Sequence, residues 1–362
     1  MSLATVNPDL YQKQLEEKVQ IIKESFHQFG TPDLEIFSSV PKHYRMRAEF
    51  NIWHDGDRSF YRMFNPNTRE PFEVITFPSG SERINQLMQP LMAAIMQQQT
   101  LRHRLFQLEF LTTRSAEALV SLIYHKTLDE RWNKAARALQ EQFNITIIGR
   151  HRKRKIVLEK DYVTEILTVE NRNYYYQQVE NSFTQPNAGV NEKMLTWASQ
   201  CCQNNNDDLL ELYCGNGNFT CVLAQHFQKV LATEISKTSV NSAKENLRLN
   251  NIGNVNIVRL SSEELTNALE GERIFYRLRD INLKDYHFST VFVDPPRAGL
   301  DNRSEEFIQR FSNIIYISCN PETLKDNLDN LCKTHRIKRI ALFDQFPYTH
   351  HTEMGVCLVS IA

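Results

Sequence analysis

The 362-residue sequence has no cysteine before Cys201, no Cys-x-x-Cys pair, and no apolar run approaching the roughly 18 residues of a membrane span. Seven cysteines, an odd number without metal-site spacing, argue against a disulfide framework, a zinc ribbon or an iron–sulfur cluster. The opening Met-Ser-Leu-Ala-Thr lacks the basic and then apolar pattern of a signal peptide. The expected setting is therefore a reducing cytoplasm, without membrane attachment. Net charge is also nearly absent: 42 Lys and Arg face 43 Asp and Glu. No global field announces a polyanionic partner, so nucleic-acid binding would rest on local patches.

What is present is an ordinary globular composition, 41% hydrophobic and 23% charged, long enough for two domains. Tyr11 to Phe29 carries a helical stripe at Leu15, Val19, Ile22 and Phe26, ended by Gly30-Thr31-Pro32. Alternating runs at 43–53 and 59–64 flank Asp55-Gly56-Asp57, a hairpin signal. Ser81 opens a helix with Pro90 inside it, and strand-like runs follow at 106–113, 118–125, 145–148 and 155–158. No glycine-rich nucleotide loop interrupts this alternation, which reads as an α/β module that binds. Its basic features are Arg45 and Arg47, the 102–104 cluster, and Arg150-His-Arg-Lys-Arg-Lys155. Short clusters are usually solvated faces. Six consecutive basic or imidazole side chains would repel one another without an anionic partner, and counterion release from phosphates would favour RNA. The tyrosine-rich 174–187 stretch reads equally as a linker or as a turn presenting Gln185 to a site.

From Asp207 the pattern changes. A strand over 208–214 runs into Gly215-Asn-Gly217-Asn218 and a helix from Phe219, a turn that lets backbone approach a ligand. The third glycine of the dinucleotide fingerprint is missing, which argues against NAD. The next strand ends in Glu234, where a carboxylate can accept ribose hydroxyls. A further apolar strand ends in Asp294-Pro-Pro-Arg297, and another in Ser318-Cys319-Asn320-Pro321. Runs at 337–343 and 356–361 are close enough to pair antiparallel. A thiol at a strand's carboxyl end could be a nucleophile, although free cysteine is commonly a core residue.

These features together resemble a class I S-adenosylmethionine-dependent methyltransferase: an α/β, Rossmann-like, mostly parallel seven-stranded sheet with a C-terminal antiparallel strand. The set Gln185, Glu211 to Phe219, Asp294 to Arg297, Ser318 to Pro321 and Glu353 is more specific and resembles the RNA uracil-C5 methyltransferases. The likeness extends to 43–50, 178–187 and 343–351, and so covers essentially the whole chain. Absence of the additional domain and the four-cysteine cluster of rRNA-directed relatives points to the tRNA branch. Arg297 stands where amine methyltransferases carry an aromatic residue and where RNA cytosine methyltransferases need a second cysteine.

The resemblance implies residues 1–175 as an N-terminal α/β RNA-binding domain with a leading helix, and 176–362 as the catalytic domain. It implies S-adenosyl-L-methionine as methyl donor, held by Gln185, Tyr213, Asn218, Glu234 and Asp294, with no metal. Cys319 would be the nucleophile that adds to uracil C6, and Glu353 the proton acceptor. Phe106, His125 and Arg297 would touch substrate RNA. His350 and His351 are read as surface or phosphate-contacting residues. The implied substrate is the T-loop uridine of tRNA (m5U54), with tmRNA or rRNA uridines and an RNA-folding chaperone role as alternatives. No obligate protein partner is implied.

Overall fold

The computed structural model describes residues 6–65, 68–203 and 207–361; the opening Met1–Thr5 lies outside them. The chain forms two compact units interleaved in sequence. The first comprises residues 1–11, 40–166 and 177–188, the second 12–39, 167–176 and 189–362. Neither is the continuous stretch that a boundary between residues 175 and 176 would give.

The first unit is built on a seven-stranded sheet. Its strands run in the order Pro71–Glu73, Arg58–Phe64, Arg47–Asp55, Leu105–Thr112, Ala118–Tyr124, Thr146–His151 and Arg154–Val157. Asp55-Gly-Asp57 makes the expected tight reversal between the antiparallel 47–55 and 58–64 strands. The sheet is mostly antiparallel; only Ala118–Tyr124 and Thr146–His151 run parallel, joined through helix Glu130–Phe143. That helix and Glu82–Met96 bury Trp132, Leu139, Ile84 and Leu91 against Phe50, Tyr61 and Phe110 of the sheet. Ser81 caps the 82–96 helix as its position before an apolar-periodic run suggests, its hydroxyl accepting from the Ile84 amide.

The basic run 150–155 is a hairpin rather than an isolated cationic string. Arg150 forms a forked pair with the buried carboxylate of Glu180, and Lys155 lies 2.7 Å from Asp161 and 3.3 Å from Glu180. His151 is buried, leaving Arg152, Lys153 and Arg154 exposed. Repulsion is thus relieved inside the protein at Arg150 and Lys155, while the three exposed cations of the hairpin tip face solvent. The tyrosines at 174–176 likewise belong to a strand, Arg172–Val179, paired with Tyr162–Val169; they are not a linker.

The second unit carries an eight-stranded sheet. Its order is Glu35–Phe37, His335–Phe343, Glu353–Ser360, Asn313–Ser318, Phe288–Val293, Asp208–Leu212, Val230–Thr233 and Val255–Val258. All neighbours are parallel except Glu353–Ser360, which is antiparallel to both strands beside it. The expected seven strands gain an eighth, Glu35–Phe37, from the segment after the leading helix. The last strand starts at Glu353, three residues before the apolar run that signalled it. The helix after the glycine turn is only Thr220–Leu223, continued by a 3-10 turn. Its four residues are all buried, so packing rather than periodicity holds it. Helices at 188–201, 237–249, 262–269, 302–308 and 321–331 join the strands. Strand residues such as Leu210, Ala232, Phe292 and Ile315 are almost fully buried, as parallel strands covered on both faces must be. Among the described residues no helix is long and apolar enough to cross a membrane.

Glu180 tests the internal pairing of the basic hairpin. Its buried carboxylate is desolvated, but Arg150, Ser121 and Lys155 hold its pKa below the usual range. A depressed carboxylate contributes stability present above its unfolded pKa and lost as pH falls through the folded one. Glu180→Gln is expected to lose about 2 kcal/mol of unfolding free energy at pH 7. The deficit should shrink below pH ~4, near the unfolded carboxylate value, as read by urea denaturation midpoints.

Candidate active site

Parallel strands deliver their carboxyl ends to one edge of the second unit's sheet. Leu212, Thr233, Val293 and Ser318 are the last residues of four of them, so Tyr213, Glu234, Asp294 and Cys319 follow directly at that edge. The antiparallel strand reaches the same edge with its first residue. Ser318, the last residue of its strand, is registered opposite Met354, so Cys319 and Glu353 adjoin that pair, and the Glu353 carboxylate acts on the thiol. Phe343, ending the neighbouring strand, lies opposite Glu353 on its other side.

The glycine turn departs from right-handed backbone at three residues. Tyr213, Gly215 and Gly217 have φ of 61°, 57° and 79°. A Cβ on Gly217 would also sit 3.3 Å from that of Ala243, so the turn packs directly on helix Lys237–Leu249. Glu234 spans the turn, accepting from the Gly215 amide at 3.1 Å and the Ser236 amide at 2.7 Å. Tyr213 Oη hydrogen-bonds Ser262 Oγ at 2.8 Å. Asn218 is fixed by a reciprocal amide pair with Asn191, 2.9 Å each way, while Tyr176 donates to its carbonyl at 2.8 Å. Tyr176, Asn191 and Ser262 were not singled out from sequence, because hydroxyls and amides far away in the chain carry no local pattern. Glu211 is a further buried acid, inside strand Asp208–Leu212 two residues before Tyr213. Burial and then the charge of Asp294 push it up to about 8, and its Oε2 finds no hydrogen-bond partner among the described residues.

Cys319 is half-buried, and its environment is acidic. Burial, then the carboxylates of Glu353 and Asp294, push the thiol up to about 11, with Arg297 pulling weakly the other way. Glu353, 3% exposed, is raised well above the usual carboxylate range by burial and by Asp294. Burial raises Asp294 as well. Low dielectric and like charge therefore act together. The free protein holds a protonated thiol beside acids of high proton affinity.

Two loops are clipped to this edge. The side chains of Asn320 and Thr323 donate to the Arg297 carbonyl at 3.2 and 3.3 Å, tying the Asp294–Arg297 loop to the turn after Cys319. Asn327 then bridges Leu300, Tyr316 and Glu305. Gly299, at φ 76°, passes so close that a Cβ would meet Thr323 and Asn327 at 2.9–3.0 Å. The His350 and His351 rings lie 4.1 Å apart, tilted at 42°, and burial, with Arg297 and Lys18 nearby, lowers the His351 pKa.

Cys319, Glu353, Asp294, Arg297, Tyr213, Asn218 and Glu234 thus all fall in the second unit. Phe106, His125 and Gln185 fall in the first. Phe106 is 40% exposed and its ring lies 4.3 Å from the imidazole of His125. A surface hollow of about 330 Å³ beside strand Val255–Val258, lined by Lys244, Arg259, Tyr276 and Arg277 among others, includes none of these residues. Among the described residues no three His, Cys, Asp or Glu side chains gather as a metal site would require.

Comparison with known proteins identifies the family and the fold. The family model described as tRNA (Uracil-5-)-methyltransferase matches residues 10–361. The chain belongs to that family. A tRNA/tmRNA (uracil-C(5))-methyltransferase of Cellvibrio japonicus is 57% identical over 348 residues, covering 96% of this chain and 95% of the relative. One from Vibrio parahaemolyticus is 54% identical over 365 residues, 99% of each. Among solved structures, Pyrococcus abyssi tRNA (uracil-54, C5)-methyltransferase in complex with S-adenosyl-L-homocysteine superposes with a TM-score of 0.72 at 21% identity, over 96% of this chain and 83% of that one. That similarity bears on the fold, which is the S-adenosylmethionine-dependent methyltransferase type anticipated from the glycine turn and the strand ends.

The thiol's environment gives a measurable consequence. Glu353→Gln removes one of the two charges that raise the Cys319 pKa, so the thiolate fraction at pH 9 should increase. Because burial is the larger cause, the shift is partial. Iodoacetamide alkylation of Cys319, followed by peptide mass spectrometry from pH 7 to 11, should show the variant's profile displaced to lower pH. An unmoved profile would mean that Glu353 does not face the thiol.

Proposed function

We propose that this protein methylates C5 of uridine in RNA, using S-adenosyl-L-methionine, with the T-loop uridine 54 of tRNA as its main substrate and tmRNA as a second. Membership of the family and relatives named for tRNA and tmRNA support the reaction class. The observation that supports the mechanism is the Ser318–Met354 register, since the residues next to that pair are Cys319 and Glu353, at the sheet edge where Asp294 also follows a strand.

The donor, a sulfonium, supplies an electrophilic methyl group. The residues that would hold it fit: an open glycine turn, Glu234 at the end of the next strand for ribose hydroxyls, and Tyr213, Asn218 and Asp294 around them. Gln185, on the first unit's 177–188 segment, is assigned to the same donor by resemblance.

Uracil C5 is too weakly nucleophilic to accept a methyl group unaided. Attack of the Cys319 thiolate on C6 makes an enolate whose C5 is nucleophilic. The thiol proton must leave first, and Asp294, whose carboxyl burial pushes up to about 7, is suited to take it, which leaves the Glu353 carboxylate free for the later step. Methyl transfer leaves C5 with both a methyl group and a proton. Glu353 removes that proton, and electrons return through C5–C6 as the C6–S bond breaks, restoring the thiolate. A buried carboxylate of raised pKa is a strong enough base for a carbon acid only when water is excluded, as its 3% exposure provides.

The target base must leave its stack, at a cost of a few kcal/mol. The exposed Phe106 ring, backed by His125, is suited to stack on unpaired bases, each such contact being worth about 1–3 kcal/mol. Arg297, exposed beside the thiol, would contact substrate phosphate or base. In this reading the first unit binds RNA and the second performs the chemistry.

RNA carrying 5-fluorouridine at the target should trap the protein covalently, because fluorine at C5 cannot leave as a proton. Cys319→Ala should give no adduct on a denaturing gel, and an undiminished band would exclude it as nucleophile. Glu353→Gln should still form the adduct but release methylated tRNA slowly. Incorporation of labelled methyl into tRNA stripped of 5-methyluridine, set against rRNA, decides the substrate.

A further inference from the structure

Gln14 and Lys18 lie one turn apart on the leading helix Tyr11–Phe26, so their side chains share a face. Lys18 sits with Leu15, Ile22 and Phe26 on the buried side of that helix, itself only 6% exposed. Its ammonium donates to Asp344 Oδ1 at 2.7 Å and to the carbonyls of Phe346 and His351 at 2.9 Å each. All three of its donors are thereby used. Gln14 donates to the other oxygen of Asp344 at 3.0 Å and accepts the Tyr348 amide at 3.2 Å. Tyr348 has φ 62°, a conformation that a tyrosine holds only where its surroundings fix it.

The segment grasped in this way, residues 344–352, joins His335–Phe343 to Glu353–Ser360. Lys18 holds both of its ends: Asp344 immediately follows one strand, and His351 stands two residues before Glu353. Packing alone would not select a lysine here, since apolar side chains of similar volume can replace a buried ion pair without loss of stability. An apolar side chain cannot draw two backbone carbonyls five residues apart to one point.

We propose that Gln14 and Lys18 are positioning residues for the reaction, holding loop 344–352 so that Glu353 is presented at the head of its strand to face Cys319. This rests on the reading in which Glu353 removes the C5 proton. The leading helix is then a strut of the catalytic edge.

The test separates adduct formation, which requires Cys319 and the methyl donor, from turnover, which also requires Glu353. Full-length Lys18→Met should trap 5-fluorouridine RNA at close to the wild-type rate. Its kcat on unmodified tRNA should fall, on the order of a hundredfold, with KM unchanged. Combining it with Glu353→Gln should slow turnover no further than Glu353→Gln alone. If Lys18→Met leaves an unpaired Asp344 and fails to fold, Lys18→Met/Asp344→Leu replaces the pair with apolar groups while still releasing the carbonyls, and the same pattern is expected. Wild-type kcat in the folded variant overturns the proposal, and so does an equal loss of adduct formation and turnover. Fast turnover by Glu353→Gln would instead sink the assignment of the base, a failure distinguishable because it does not involve residue 18.

Discussion

One reversed strand sets the geometry on which the rest depends. In a wholly parallel sheet every strand presents its last residue to the ligand-binding edge. Glu353–Ser360 runs antiparallel between two parallel neighbours, so its first residue arrives there instead. Opposed ladders fix register residue by residue. The hydrogen bonds that hold the core pair Ser318 with Met354, and so bring the adjoining Cys319 and Glu353 to one edge although a helix, a strand and a loop separate them. A one-residue slip would turn every buried side chain of that strand to the other face, which its burial forbids.

That placement carries an electrostatic cost. Glu211, Asp294 and Glu353 are all buried or half-buried with raised pKa values, and the Cys319 thiol is set near the last two. Such an arrangement does not stabilise the fold, because charged forms are desolvated and like charges oppose one another. It makes chemical sense if protons are to be exchanged there. The surrounding scaffold compensates with fully satisfied clips: Asn327 between a loop, a strand and a helix, Asn191 with Asn218, and Lys18 with the 344–352 loop.

The two units divide in character as well as in sequence. In the first, Glu180 neutralises Arg150 and Lys155 internally, while Arg152, Lys153, Arg154 and the Phe106 ring stay exposed. In the second, short loops carry polar groups at a rigid sheet edge. Precision of placement is better served by strand ends than by long loops, and every candidate reacting group except Arg297 follows or begins a strand.

The sequence by itself determined the strands that end in Glu234, Asp294 and Cys319, because each is a short apolar run stopped by a polar or proline break. It also determined the glycine turn and the family, since motif order survives without coordinates. Local signals failed where partners are distant. Arg150 and Lys155 of the basic run looked unpaired because Glu180 and Asp161 lie beyond its window, and the tyrosines of 172–179 looked like a linker because their strand mate, Asn218 and Asn250 all lie outside that stretch. The last strand was read from Val356 because Glu353 is polar, and only pairing on both sides makes a buried acid part of a strand. Lys18 was passed over as one charged residue on an amphipathic helix. Tertiary structure alone decided that it points inward, because its three acceptors come from residues more than 300 positions away, where no periodicity can register them.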